Sequence, residues 1–149
     1  MNNKEAFTVL PDNLFKNMQQ LRLILLTTME DTTPYVNAVS WTFAKSPQMI
    51  RFAVDAKSQI VKNIRNNSEV ALSIFDQETI FTIYGTAKIV TESIEGIPFQ
   101  LALVEVKVSN VYDVMYYGAK IKTLPETEKT YNQEAAKKLD NQVLEALQK

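Results

Sequence analysis

Two residue types are absent from this 149-residue chain. Without cysteine there are no disulfides, no thiolate nucleophile and no cysteine-type zinc site. Without histidine there is no Ser-His-Asp or Cys-His triad, no histidine-ligated metal and no histidine-ligated haem. Chemistry must therefore rest on carboxylates, Lys, Tyr, Ser or Thr, or on a bound cofactor. Neither charge sign dominates, with 16 Lys and Arg against 17 Asp and Glu, so there is no basic footprint for nucleic acid. No apolar run approaches the roughly 20 residues that span a membrane. The longest, Leu21 to Met29, already contains Arg22. The opening MNNKEAF has no signal-peptide core, so a cytoplasmic protein is expected.

What remains is an ordinary globular composition, 46% apolar and 22% charged, in a length that suits one domain over residues 1–149. Leu10-Pro11-Asp12 opens a short helix to about Gln20, with Leu14, Phe15 and Met18 on one face. Strands are expected at Leu21 to Met29, Tyr35 to Phe43, Met49 to Val54, Glu69 to Asp76, Ile80 to Thr91 and Phe99 to Ser109. Asp31 to Pro34 and Lys45 to Pro47 are turns. Gly85, inside the fifth strand, marks a bulge or a close backbone approach. Ser58 to Asn66 reads as a short helix. Thr130 to Gln133 fits a capping box that opens a closing helix to about Gln148. Hairpin-linked strands with few helices predict a mainly β fold, a small barrel with peripheral helices.

The most informative stretch is Met49 to Ile83, where a strand feeds a Ser- and Lys-bearing helix start. Unpaired N–H groups and the helix dipole suit that place to an anion. Ser58 can cap the helix, and Lys57 and Lys62 can reach a phosphate. The plainer reading is an ordinary N-cap before a solvated basic face that includes Arg65. Strand six, Leu101 to Val108, is apolar on both faces and needs cover on both. A late cluster of Tyr112, Asp113, Tyr116, Tyr117 and Lys120 could do acid–base work, but interface or core is the commoner use of such residues. The carboxylate pairs Glu30–Asp31 and Glu92–Glu95 sit at turns and receive no catalytic role.

Thr27-Thr28, then Pro34-Tyr-Val-Asn-Ala-Val-Ser, then Ser58 and Asn63 in a helix, then Gly85-Thr86-Ala87, follow one another in the order of a known family. In this the chain resembles the pyridoxamine 5′-phosphate oxidase-like FMN-binding split β-barrels. The resemblance implies a split barrel with N-terminal, crossover and C-terminal helices. It implies non-covalent FMN (alternatively deazaflavin F420, or no cofactor) shared in a homodimer, and an oxidoreductase acting on an unidentified small molecule. A flavin-binding or sensor protein without turnover is the other class. Carried over residue by residue, the ring-proximal positions are Asn37, Ala38, Val39, Ser40 and Trp41, with Phe52, Ala53 and Val54. The phosphate positions are Lys57, Ser58, Gln59 and Lys62. The vitamin-pathway oxidase has an Arg-Lys pair directly after the capping serine, where this chain has Gln59 and Ile60. Its substrate-binding histidine has no counterpart, so pyridoxamine phosphate is not the expected substrate.

Overall fold

The computed structural model describes residues 6–149; the first five residues of the MNNKEAF segment lie outside it. Its elements, in chain order, are β1 (Ala6–Phe7), α1 (Asp12–Asn17), β2 (Ile24–Glu30), β3 (Thr33–Val39), β4 (Thr42–Ser46) and β5 (Met49–Asp55). They continue with α2 (Gln59–Asn66), β6 (Glu69–Asp76), β7 (Thr79–Thr91), β8 (Leu101–Asp113) and α3 (Gln133–Gln148). Every strand pairing is antiparallel, along the path β3-β2-β6-β7-β8-β5-β4, with β1 added to β8.

One expected strand is in fact two. The stretch Tyr35 to Phe43 breaks at Ser40 and Trp41, and the chain passes there from one end of the sheet path to the other. Two residues cannot span an open seven-strand sheet, so the path curls and its ends meet. Hydrogen bonds close the seam: Arg22 N–H donates to the Thr42 carbonyl at 3.2 Å, and Ala44 N–H to the Met18 carbonyl at 3.0 Å. Other boundaries shift less. The β2–β3 hairpin turns on Asp31 and Thr32 alone, with Asp31 at φ 55, so Pro34 lies inside β3. Strand β8 runs on to Asp113. Helix α3 is capped by Asn132, whose side chain accepts from Ala135 N–H at 3.0 Å, instead of by a Thr130 capping box.

Gly85 does what its position suggested. The β7–β8 register slips there, with Tyr84 opposite Asn110 and Gly85 opposite Val108, and Ser109 is left over as the bulge. A Cβ on Gly85 would lie 2.7 Å from Val106 Cγ1 and nearer still to the Lys107 carbonyl oxygen.

Alternation along the strands sorts side chains into an interior and two outer faces. The interior core takes Leu26, Ile50, Phe52, Leu72, Ile74, Ile83, Val104 and Val106, with Leu14 and Met18 from the α1 segment and Ile60, Val61 and Ile64 from α2. Outside β4, β5 and the first half of β8, helix α3 packs Val143 and Leu147 on Phe43, Ala53, Leu101 and Leu103. The two-sided apolar strand is thus covered on both sides within one chain.

Among the described residues, no helix covers the other outer face. Register places Val36, Thr27, Ala71, Tyr84 and Asn110 in one row across five strands, and Ala38, Leu25, Ser73, Thr82 and Tyr112 in the next. Neither row contains a charged residue. Leu25, Val36 and Tyr84 are each more than 40% exposed.

Candidate functional site

Strand β5 delivers the chain to α2 through a tight turn. The Asp55 carboxylate accepts from Lys57 N–H at 2.8 Å and its carbonyl from Ser58 N–H at 3.0 Å. Ser58 then takes the N-cap position in extended geometry. It does not cap: its hydroxyl makes no bond to the helix, and its Oγ is buried with no partner among the described residues. Buried hydroxyls normally find a partner, so an orphaned one at a helix N-terminus fits a ligand atom. Gln59, the first helical residue, turns along the helix and donates to Asn63 Oδ1 at 2.8 Å. The first-turn N–H groups therefore have no side-chain cap.

Charge at this end is available. Lys57 and Lys62 are exposed and have no ion pair among the described residues. Arg65, almost a turn beyond Lys62, is held in an ion pair with Glu92. Helix α2 is fixed from below. Its apolar face enters the core, and buried Asn63 donates to the Thr28 hydroxyl of β2 at 3.0 Å.

The strand positions divide. Val39, Phe52 and Val54 join α2 in the interior core, while Ala38 and Ser40 are exposed. Asn37 faces inward opposite Leu26, and its Oδ1 is a second buried oxygen without a partner. Ala53 faces α3. Trp41 also turns that way: its indole donates to Asp140 at 2.8 Å and stacks on Phe99 with ring centroids 6.3 Å apart. Its side chain is thus committed to α3, away from the interior that Asn37 faces. A third orphaned oxygen, Thr42 Oγ1 on β4, had no signal in the sequence.

The late cluster does not converge. Tyr116 and Tyr117 are 70% and 88% exposed, Tyr112 packs edge-on to Tyr84, and Lys120 pairs with Glu78. Asp113 accepts from Thr79 Oγ1 at 2.7 Å and Met115 N–H at 3.0 Å, a strand-end cap. Among the described residues no helix is long and apolar enough to cross a membrane.

Solved structures share this architecture. A candidate pyridoxamine 5′-phosphate oxidase from Lactobacillus delbrueckii superposes with a TM-score of 0.59 at 19% identity, covering 70% of this chain and 94% of that one. An F420 reductase gives 0.58 at 21%, covering 68% and 98%. HutZ, the haem storage protein of Vibrio cholerae, gives 0.53 at 11%, covering 66% and 89%. At such identities the likeness is one of fold. No curated protein matches the chain. The family model of pyridoxamine 5′-phosphate oxidase matches residues 10–115, which run from Leu10 at the head of α1 to Met115 just past β8 and take in the uncapped helix start at Ser58. The chain belongs to the pyridoxamine 5′-phosphate oxidase family.

Proposed function

We propose that this chain is a flavoprotein that binds FMN non-covalently as a homodimer and serves as an oxidoreductase for a small molecule. The observation that carries the reading is the buried Ser58 Oγ at the uncapped start of α2, without a partner among the described residues, where Lys57 and Lys62 are likewise without an ion pair. A phosphate there would accept from the Ser58 hydroxyl and the first-turn N–H groups, and the two lysines would balance its charge. Gln59 is taken up by Asn63, so the grip falls to Ser58, Lys57 and Lys62.

Bound FMN supplies hydride and electron transfer, and the chain supplies position and surroundings. Asn37 offers an unused buried acceptor on β3, and Val39, Phe52 and Val54 pack with α2 in the core that fixes the helix. The vitamin-pathway reaction does not fit, because the substrate-binding histidine of that oxidase has no counterpart in a chain without histidine.

The second copy is assigned to the uncharged face of β3, β2, β6, β7 and β8. Exposed apolar side chains such as Leu25, Val36 and Tyr84 grouped on one sheet face are a common mark of an interface. The experiment is the visible spectrum of the purified protein. Flavin bands support the reading, a single band near that of a deazaflavin would move it to F420, and a colourless protein that takes up neither when they are added would remove it.

A further inference from the structure

A cleft lies at the other end of the barrel. Helix α2 runs into β6 at Glu69, whereas Asp76 ends that strand about 23 Å away, at ~3.3 Å per residue. There the cleft, of about 430 Å³, opens between the α1 end of the barrel and the segment 119–132 that returns to α3. That volume is of the order that takes a small molecule.

The floor is an ion pair that the FMN reading does not use. Asp76, 2% exposed, accepts from Arg22 Nη1 at 3.1 Å and from Asn17 Nδ2 at 3.1 Å. Arg22 also donates from Nη1 to the Asn17 carbonyl and from Nη2 to the Phe75 carbonyl. Three of its five N–H donors are committed. Its Nε–H and one Nη2–H have no partner among the described residues. Gln20, Gln77 and Thr127 add polar groups that can donate, and Leu21, Phe75, Leu124 and Pro125 give apolar walls. The lining's one carboxylate is committed to Arg22 and Asn17. One wall is loosely held: Ile121 N–H is tied to the Glu78 carbonyl and Lys129 to Asp140, and between them residues 122–128 make no hydrogen bond to the barrel among the described residues.

We propose that this cleft binds a small carboxylate with an apolar body, its carboxylate on the free donors of Arg22 and its body against Leu21, Phe75 and Leu124. Asp76 orients the guanidinium and offsets part of its charge. A monocarboxylate therefore suits the floor better than a phosphate dianion, and the walls favour a molecule with apolar surface over a bare ion.

The test is a nitrogen-15 NMR titration of the full chain with benzoate, benzamide and inorganic phosphate. Benzoate should move the Arg22 Nε–H signal together with the backbone amides of Leu124, Glu126 and Thr127. Benzamide should bind at least about tenfold more weakly, and phosphate should leave these signals in place. Substituting Arg22 endangers the fold, because Asp76 would be left buried and unpaired. Leu124→Glu, at a rim position 39% exposed, instead sets a carboxylate at the mouth and should weaken benzoate by about tenfold or more with the circular dichroism unchanged. An Arg22 signal unmoved by benzoate, equal responses to benzamide, or an undiminished response in Leu124→Glu would overturn the assignment.

Discussion

Asn63 in α2 and Thr28 in β2, 35 residues apart in the chain, are joined by a fully buried side-chain hydrogen bond of 3.0 Å. Asn63 spends its other end on Gln59, so one carboxamide fastens the helix to the barrel and holds Gln59 away from the helix start. Thr28→Val keeps the shape and orphans the Asn63 amide. It should cost about 1–3 kcal/mol in urea unfolding, and adding Asn63→Leu should recover part of the loss, because both polar partners are then gone.

Gly85→Ala should be disproportionately harmful for one methyl group. The added carbon meets the Lys107 backbone, which cannot swing aside as a side-chain tip could. A loss of about 1–3 kcal/mol or more is expected, read as a lower unfolding midpoint at unchanged denaturant slope.

The two ion pairs Arg22–Asp76 and Arg65–Glu92 should behave oppositely. In the first, the side chains are 16% and 3% exposed; in the second, 50% and 57%. Arg22→Leu leaves a buried carboxylate without its cation and should cost about 3–5 kcal/mol. Arg65→Ala should change stability by less than about 1 kcal/mol. Denaturant unfolding of both variants in one buffer checks the contrast.

Leu25→Lys and Val36→Lys each place a charge in the uncharged rows of the sheet. Both positions are exposed in the single chain, so the chain should remain folded while the proposed dimer dissociates. Sedimentation velocity at micromolar concentration reads the shift, and dimers that survive both substitutions would move the interface elsewhere.

Much of this architecture is legible in the sequence, for reasons that particular residues make plain. Strand β6 shows strict alternation, and Val70, Leu72 and Ile74 are indeed inward. Gly85 carries its bulge as a missing side chain. The split at Ser40–Trp41 is silent, because Tyr35, Asn37, Val39, Trp41 and Phe43 keep alternating through it without glycine or proline. Closing a barrel there depends on which strand waits on the far side, and local propensity does not encode that. The cover on Leu101 and Leu103 is hidden for the same reason: a two-sided apolar strand says that a cover exists, and α3 supplies it from 40 residues downstream. At the candidate site the residue type at Ser58 is visible in sequence, but the failure of its hydroxyl to cap the helix is not.

That failure separates two accounts of Ser58. A capping serine replaced by alanine costs typically about 1 kcal/mol. Here Ser58→Ala should leave stability within about 0.5 kcal/mol, since no cap bond is lost. FMN affinity should fall instead, in a fluorescence titration of the same variant.

The central claim, a phosphate held at the start of α2, is tested most directly by titrating FMN and riboflavin against the unmodified chain, Lys62→Ala and Arg65→Ala. Both variants lose one positive charge, so net charge is controlled. The account predicts tighter binding of FMN than of riboflavin, a loss of about 1–3 kcal/mol for FMN in Lys62→Ala, and little change in Arg65→Ala, whose side chain is engaged with Glu92. Equal affinities for the two flavins, or equal small losses in the two variants, would contradict it.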